Sequence, residues 1–166
     1  MDQNFLIRLN YKFHRVRTVF LSKRKDNYNL STNFHKVCVE MSVNKLNSEG
    51  YSVDFGVIKN AIKSLTQDIE GKVIILKNDH KLELDQNINI KKVSCFNGQV
   101  FEFNEEKLIF VNGTHLKEGF ESALAARVYA SMKSITNQDE VLWTKISITD
   151  LIKDKTSDYH FGLKQV

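Results

Sequence analysis

The sequence predicts an α+β domain built on an antiparallel sheet, and three features predict it. Two N-terminal segments alternate apolar and polar residues with the period of a strand, and two later segments repeat apolar residues at helical spacing. Between the helical segments, an Asn-Gly pair flanked by alternating runs predicts a hairpin. The predicted order is two strands, a helix, a short β insert, a second helix and a final strand.

The two N-terminal strands are predicted to pair as one long hairpin. The alternation runs through "FLIRLNYKF" and again through "KVCVEMSV". The polar segment between them, "SKRKDNYNLSTN", is predicted to be a long loop at the hairpin tip. We therefore expect Phe5–Phe20 to pair with His35–Lys45.

Two amphipathic helices follow. The first is predicted over "VDFGVIKNAIKSLTQDI", with Asp54 as its N-cap. The second is predicted over "LKEGFESALAARVYASMKSI", and "VLWTKISITDLI" closes the domain as a strand. The apolar stripes consist of Phe55, Ile58, Ile62, Leu65 and Ile69 in the first helix and Phe120, Leu124, Val128 and Met132 in the second.

The segment Asn87–Gly113 is longer than a tight connection requires. It contains "INIKKVSCFNGQVFEF", in which Asn97-Gly98 predicts a two-residue hairpin turn, and the short strand "KLIFV". Before it, "KVIIL" is either a short buried strand or the end of a packed turn. The extra hairpin is interpreted either as a cap on a subunit edge or as a lid over a site.

Composition narrows the class of protein. A chain of 166 residues is predicted to form a single domain, 1–166, and its 42% hydrophobic content is that of a globular protein. No apolar run approaches the roughly 20 residues of a membrane span, so we expect no membrane partner. The start "MDQNFLIRLN" lacks an apolar signal region. We therefore expect a cytoplasmic protein in which Cys38 and Cys95 are reduced thiols.

The charge excess is mild, and it is concentrated near the N-terminus. The net charge is +4, and seven Lys and Arg residues lie between Arg8 and Lys25. Such a patch suits nucleic acid, a phosphorylated small molecule, or simply a solvated strand face and loop. No nucleic-acid-binding motif accompanies it, so we expect no nucleic acid partner.

Two histidines flank the predicted hairpin loop. His14 ends one strand and His35 begins the other, so antiparallel pairing would bring them together at the loop end. Two imidazoles there could bind zinc, although catalytic zinc usually takes three protein ligands. The alternative is that they are unrelated polar residues at strand ends.

An acid and an imidazole stand side by side after the apolar run "VIIL". A carboxylate hydrogen-bonded to an imidazole fixes its tautomer and raises its basicity, so Asp79 and His80 could form a proton-transfer pair. Adjacent residues rarely face each other, and the alternative is a surface turn, "KNDHK".

Several short motifs occur in an order that resembles the 6-pyruvoyl-tetrahydropterin synthase / 6-carboxytetrahydropterin synthase (QueD-like) family. "YKFHRV" resembles the family's F-x-A-x-H-R-L, and "NFHKVCVEM" resembles H-G-H-x-Y-x-V-x-V. "GYSVDFGVIK" resembles G-M-V-x-D-F-x-x-L-K, and "NDHKLEL" resembles L-D-H-x-x-L. Near the end, "AARVYA" and "ISITDL" resemble the family's second helix and its V-x-V-x-E-T strand.

The resemblance implies a tunnelling fold (T-fold), an antiparallel four-stranded sheet with two helices on one face, here with the extra hairpin insert. It implies a homo-oligomer joined edge to edge, commonly a hexamer made as a dimer of trimers, with sites between subunits. It also implies a carbon–oxygen lyase of pterin or queuosine biosynthesis that acts on 7,8-dihydroneopterin triphosphate or a related pterin- or purine-like compound.

The same resemblance implies residue roles. His14, His35 and the residue at position 33 would bind Zn²⁺, Asp150 would hold the pterin ring, and Asp79 with His80 would move protons. The sequence departs from the family pattern at three places. Asn33 replaces a histidine, Asn29 occupies the position of the family's cysteine, and Asp150 is shorter than the family's glutamate.

Another departure lies at the start of the second helix, where Ala123 occupies the position of the family's glutamate. Three interpretations stay open. In the first, the chain is a lyase whose metal is bound by a changed set of residues, including His115 or His160 from a neighbouring subunit. In the second, it belongs to the same family but acts on a different substrate. Alternatively, it is a degenerate paralogue that serves as an oligomeric binding or scaffold protein.

Overall fold

The structure is a computed structural model that describes residues 5–43, 54–77, 80–84, 89–136 and 141–162; side chains are described from residue 15 onward, except in 80–84. The elements in chain order are β1 (Phe5–Arg24), β2 (Asn27–Val43), α1 (Phe55–Ile69), β3 (Val73–Leu76), β4 (His80–Leu84), β5 (Ile90–Cys95), β6 (Val100–Asn104), a 3₁₀ turn (Glu105–Lys107), β7 (Leu108–Val111), α2 (Leu116–Ile135), β8 (Val141–Asp150) and β9 (Lys155–Phe161). No helix in the described part of the chain is long and apolar enough to cross a membrane.

The predicted α+β class is confirmed, but the predicted four-stranded antiparallel sheet is wrong. The main sheet has six strands in the order β7-β3-β1-β2-β8-β9, and β4-β5-β6 form a second sheet of three. β3 pairs in parallel with both β1 and β7. All four residues of β3 are buried, as is typical of parallel strands covered on both faces. The "VIIL" run is therefore a strand.

β9 was not predicted because its sequence, "KTSDYHF", is polar. It pairs along its whole length with β8, from Lys155 opposite Asp150 to Phe161 opposite Thr144. Pairing with a neighbouring strand thus overrides the weak apolar alternation of this segment.

The N-terminal hairpin is confirmed, but its long loop is wrong. β1 ends at Arg24 and β2 begins at Asn27, so only Lys25 and Asp26 form the turn. Lys25 adopts a left-handed backbone conformation with φ 57°. The polar tip remains paired as a strand, and Tyr28 within it is buried. Lys45, the predicted end of the second strand, lies outside the described residues.

Both predicted helices are confirmed. The Asp54 Oδ1 atom accepts the backbone N–H groups of Gly56 at 2.8 Å and Val57 at 3.4 Å, which makes Asp54 the N-cap of α1. In the first stripe Ile58, Ile62 and Ile69 are buried, while Phe55 is 45% exposed. The second stripe is buried in full, namely at Phe120, Leu124, Val128 and Met132.

The chain divides into two compact units. The first consists of residues 1–16, 35–68 and 124–166, and the second of residues 17–34 and 69–123. The strands β1 and β2 and the helices α1 and α2 contribute residues to both units.

In the first unit, one face of the β2–β8 pair is buried. Val37, Val39 and Met41 on β2 are opposite Ile148, Ile146 and Thr144 on β8, and all six are at most 2% exposed. Helix α2 packs on this side of the sheet. Its Tyr129 ring stacks on Phe161 of β9 with centroids 4.3 Å apart, and Phe161 is opposite Thr144 of the buried face. This face therefore holds the core of the unit.

In the second unit, the three-stranded sheet packs into its own core. Val93 and Cys95 of β5 are buried together with Leu21, Val73 and Ile75. The predicted β5–β6 hairpin is confirmed, but four residues, Phe96 to Gln99, connect its strands instead of two. The Gly98 N–H donates to the Cys95 carbonyl at 3.0 Å, and Gly98 has φ 90°, a turn that ends in a left-handed glycine.

Gly119, in the first turn of α2, is predicted to be required for packing. A Cβ atom at this position would lie 2.4 Å from the backbone oxygen of Asn112. Gly119→Ala should therefore lower the free energy of unfolding by about 1–3 kcal/mol, since overpacking outweighs the helix propensity of alanine. Urea unfolding of the purified variant measures this loss.

Gly56 in the first turn of α1 provides the matched control. Its added Cβ would meet only the Asp54 side chain, at 3.1 Å. Gly56→Ala should leave stability within about 0.5 kcal/mol of wild type or raise it. Equal stability of the two variants would contradict the predicted clash.

Candidate functional site

The pairing of β2 with β8 brings two predicted site residues together. His35 is the Cα partner of Asp150 in this antiparallel register. Directly opposite residues project from the same face with Cβ atoms about 4.5–5.5 Å apart. The His35–Asp150 pair is the last row of the buried face before the β8–β9 turn.

Both members of this pair are buried. His35 is 0% exposed and Asp150 is 2% exposed. An acid and an imidazole rarely lie inside a core without serving each other, a ligand or a local hydrogen-bond network. The pair is therefore the strongest candidate site among the described side chains.

Asp150 also has a structural role that the sequence analysis did not anticipate. Its Oδ1 atom accepts the backbone N–H of Ile152 at 2.9 Å and that of Lys153 at 3.1 Å. These bonds fix the turn Leu151–Asp154, which connects β8 to β9. The carboxylate is thereby held in one orientation at the end of the strand.

The predicted proton-transfer pair falls largely outside the described part of the chain. Asp79 lies outside the described residues, and the side chain of His80 is likewise not described. The backbone of His80 begins β4 and pairs with Cys95 of β5. This pairing makes His80 a strand residue at the start of the insert, and its proposed role stays a prediction.

The predicted metal ligands are only partly described. His14 lies in β1 with its side chain outside the described set, so its convergence with His35 stays a prediction. The Nδ2 atom of Asn33 donates to the Ser31 carbonyl at 3.0 Å, so its amide makes a local hydrogen bond. Among the side chains that the structure describes, no three His, Cys, Asp or Glu residues are grouped so as to hold a metal ion.

The remaining histidines and the two cysteines lie elsewhere. His115 and His160 are both exposed. Cys38 pairs with Ser147, three residues along β2 from His35 and so on the opposite face of the strand. Cys95 is buried in the core of the second unit. The Cys38 thiol therefore does not join the His35–Asp150 pair.

Two buried acids, Glu40 of β2 and Glu121 of α2, were missed by the sequence analysis. Glu121 in α2 is 1% exposed, and its Oε1 atom lies 3.8 Å from the Nζ atom of Lys117. The sequence does indicate the burial of Glu121. This residue precedes Leu124 by three residues and Val128 by seven, so it lies on the apolar stripe of the helix. Acids on such a stripe are candidates for buried carboxylates.

Solved structures of one enzyme share this fold. The chain superimposes on 6-pyruvoyl tetrahydropterin synthase from Plasmodium vivax with a TM-score of 0.78 and 11% identity, over 96% of this chain and 99% of that one. The Plasmodium falciparum enzyme gives a TM-score of 0.76 at 14% identity, over 95% and 98%.

A catalytic-residue variant of the P. vivax enzyme, in which a glutamate is replaced by alanine, also matches. It has a TM-score of 0.71 and 11% identity, over 96% of this chain and 99% of that one. No protein-family model matches the sequence, and no curated protein matches it. The chain therefore has the fold of the 6-pyruvoyl tetrahydropterin synthases.

The structural role of Asp150 can be separated from its charge. Asp150→Ala removes the acceptor for two backbone N–H groups, so it should lower the free energy of unfolding by about 1 kcal/mol or more. Asp150→Asn retains an Oδ1 acceptor and should preserve most of that stability. Urea unfolding curves of the two variants measure the difference, and equal destabilisation would show that the charge, not the acceptor, stabilises the turn.

Proposed function

We propose that the chain is a divergent pterin-type carbon–oxygen lyase whose ligand site contains His35 and Asp150. The observation that carries the proposal is the buried cross-strand pair at the end of β2 and β8, in a chain with the fold of the 6-pyruvoyl tetrahydropterin synthases. Both residues also occupy the motif positions that the resemblance assigns to ligand and substrate contacts.

Asp150 is proposed to orient the substrate. A carboxylate is an acceptor, and the pterin ring presents N–H groups, so charge-assisted hydrogen bonds would hold the ring at the end of the sheet. The two backbone bonds to Ile152 and Lys153 restrict the rotation of the carboxylate. That restriction lowers the entropy cost of binding a ligand there.

The chemical step is assigned to Asp79 and His80. His80 would remove a proton from a side-chain carbon, and the electron pair left there would form a double bond to the neighbouring carbon. The bond between that neighbouring carbon and the triphosphate oxygen would break, and triphosphate would leave with its electrons. Asp79 would fix the tautomer of His80 and stabilise the imidazolium that forms. The substrate proposed is 7,8-dihydroneopterin triphosphate or a related pterin- or purine-like compound.

Zinc is proposed as a cofactor on the resemblance alone. Bound zinc would polarise a substrate oxygen and acidify the neighbouring carbon. The described side chains form no three-ligand group, and the amide of Asn33 bonds Ser31, so no step above depends on the metal. We also propose a homo-oligomer, commonly a hexamer in this family, which would cover the edge strands β7 and β9.

The alternative is a degenerate paralogue that binds a pterin, or acts as an oligomeric scaffold, without turnover. Two observations favour it: Asn33 stands where the family has a histidine, and Cys38 lies on the opposite face of β2 from His35. Turnover is the measurement that separates the two.

Metal content tests the zinc proposal. Chelator-free protein is expected to contain near one zinc per chain, and His35→Ala should lower that content well below wild type. Cys38→Ala is the matched control, because it alters the opposite face of the same strand and should retain zinc. Asn33→His should raise the affinity for zinc, since imidazole is a better ligand than an amide. Wild-type protein without zinc would remove the metal from the proposal.

Turnover tests the lyase. Purified protein supplied with zinc and 7,8-dihydroneopterin triphosphate should release triphosphate and form a new pterin product. His80→Ala should lower the rate by about 10²–10⁴-fold, because it removes the positioned base. Cys38→Ala should turn over like wild type. Tight pterin binding without any turnover in the wild type would establish the binding-protein alternative instead.

A further inference from the structure

In the second unit, the turns of two hairpins are fastened side by side. The Gln99 side chain accepts the Tyr28 N–H at 2.7 Å and donates to the Tyr28 carbonyl at 3.2 Å. Asn97 donates from Nδ2 to the Asp26 carbonyl at 2.8 Å. The Gln99 amide therefore pairs with the backbone as a neighbouring strand would, and the two turns form one rigid surface.

Large apolar side chains stand exposed around these contacts. Phe96, which is 65% exposed, precedes Asn97, and Val100, which is 55% exposed, follows Gln99. Leu30 is 45% exposed and lies two residues after Tyr28, which is 2% exposed. Clustered exposed apolar groups on a folded chain mark interaction sites. We call the surface formed by residues 23–26, Leu30, Phe96 and Val100 the tip surface.

The tip surface is also basic. Lys23, Arg24 and Lys25 are exposed at the end of the first hairpin, and Asp26 is the one acid among these four residues. None of the three cations forms an ion pair with another residue in the described part of the chain. Their charge is therefore available to an anionic partner.

The combination of side chains favours one class of partner. Nucleic acid binding uses several aromatic groups that stack on bases, but Phe96 is the one aromatic residue among the three exposed apolar groups, and Val100 and Leu30 are aliphatic. A protein segment with apolar anchors would need a concave receiving pocket, but these apolar groups lie on and beside turns. Cations beside apolar groups at one end of a rigid element fit an anionic lipid surface, where apolar groups enter the acyl boundary and cations meet the headgroups.

We propose that the tip surface binds anionic membranes peripherally, with Phe96 and Val100 entering the headgroup boundary and residues 23–25 contacting lipid phosphates and carboxylates. Such contact requires no membrane-spanning segment, so it revises the expectation of no membrane partner. It is independent of the lyase proposal, because His35 and Asp150 take no part in it.

Co-sedimentation of the full chain with vesicles tests the proposal. Vesicles of equal parts phosphatidylcholine and phosphatidylserine should pellet the wild type, pure phosphatidylcholine vesicles should pellet much less, and high salt should release the protein. Each basic residue near such a surface is worth about fivefold in affinity, so the K23E/R24E/K25E variant should bind at least about a hundredfold more weakly. Phe96→Ser should weaken binding about tenfold or more.

The β8–β9 turn supplies a chemically matched control. Ile152 is 58% exposed and is followed by the exposed Lys153. The I152S/K153E variant makes the same kind of change outside the tip surface and should bind as wild type. All replaced side chains are exposed, so thermal unfolding should be unchanged, and Val100→Ser provides a second apolar variant if Phe96→Ser proves unstable.

Fluorescence locates the contact. Trp143 is the only tryptophan in the chain and lies outside the tip surface. Phe96→Trp should show a blue shift on phosphatidylserine vesicles that the wild type lacks. The proposal is overturned if the wild type does not pellet, if both apolar variants pellet as wild type, or if the control variant loses as much affinity. Binding of a single-stranded oligonucleotide through residues 23–25 without vesicle binding would assign the surface to nucleic acid instead.

Discussion

The candidate site depends on the register between β2 and β8. That register places His35 opposite Asp150 and extends the same face inward through Val37 and Ile148. Because side chains alternate along a strand, a shift of one residue would turn His35 to the opposite face, where Cys38 pairs with Ser147. The apolar rows exclude such a shift, since it would expose the core of the first unit. The core thus determines which polar groups meet at its edge.

Much of the fold could be predicted from local pattern. Strand alternation, helical stripes and the Asp54 cap were all visible in the sequence, because amphipathic elements carry the period of their own geometry. The parallel placement of β3 could not be predicted, since partner choice depends on contacts between distant segments. The polar strand β9 and the tip of the first hairpin were missed for the same reason. Both are held by pairing and, at Tyr28, by the side chain of Gln99 from the insert.

The site was less accessible to sequence reasoning than the fold. His35 and Asp150 were singled out through short motifs, and only the three-dimensional pairing shows that they face each other. Their 115-residue separation, obtained as 150 − 35, leaves no local signal of contact. The turn-capping role of Asp150 depends on backbone N–H groups that no sequence pattern reveals. Glu121 differs from Asp150 in this respect. Its position on the apolar stripe of α2 indicates burial from the sequence alone, and the sequence analysis overlooked it.

Identity of 11–14% to enzymes of the same fold shows how few residues two chains need to share in order to adopt it. Apolar rows tolerate exchange among residues of similar volume, whereas a ligand set does not. Under the proposed function, Asn33 at the position of the family's histidine is therefore the most consequential departure, since it alters donor chemistry without disturbing the strand.

A crystal structure of the protein soaked with 7,8-dihydroneopterin is the most direct test of the central claim. The account predicts electron density for the pterin ring at the end of β2 and β8, with its N–H groups within hydrogen-bond distance of the Asp150 carboxylate and the ring beside His35. A ring bound at another surface, or crystals in which the ligand binds nowhere at saturating concentration, would contradict it.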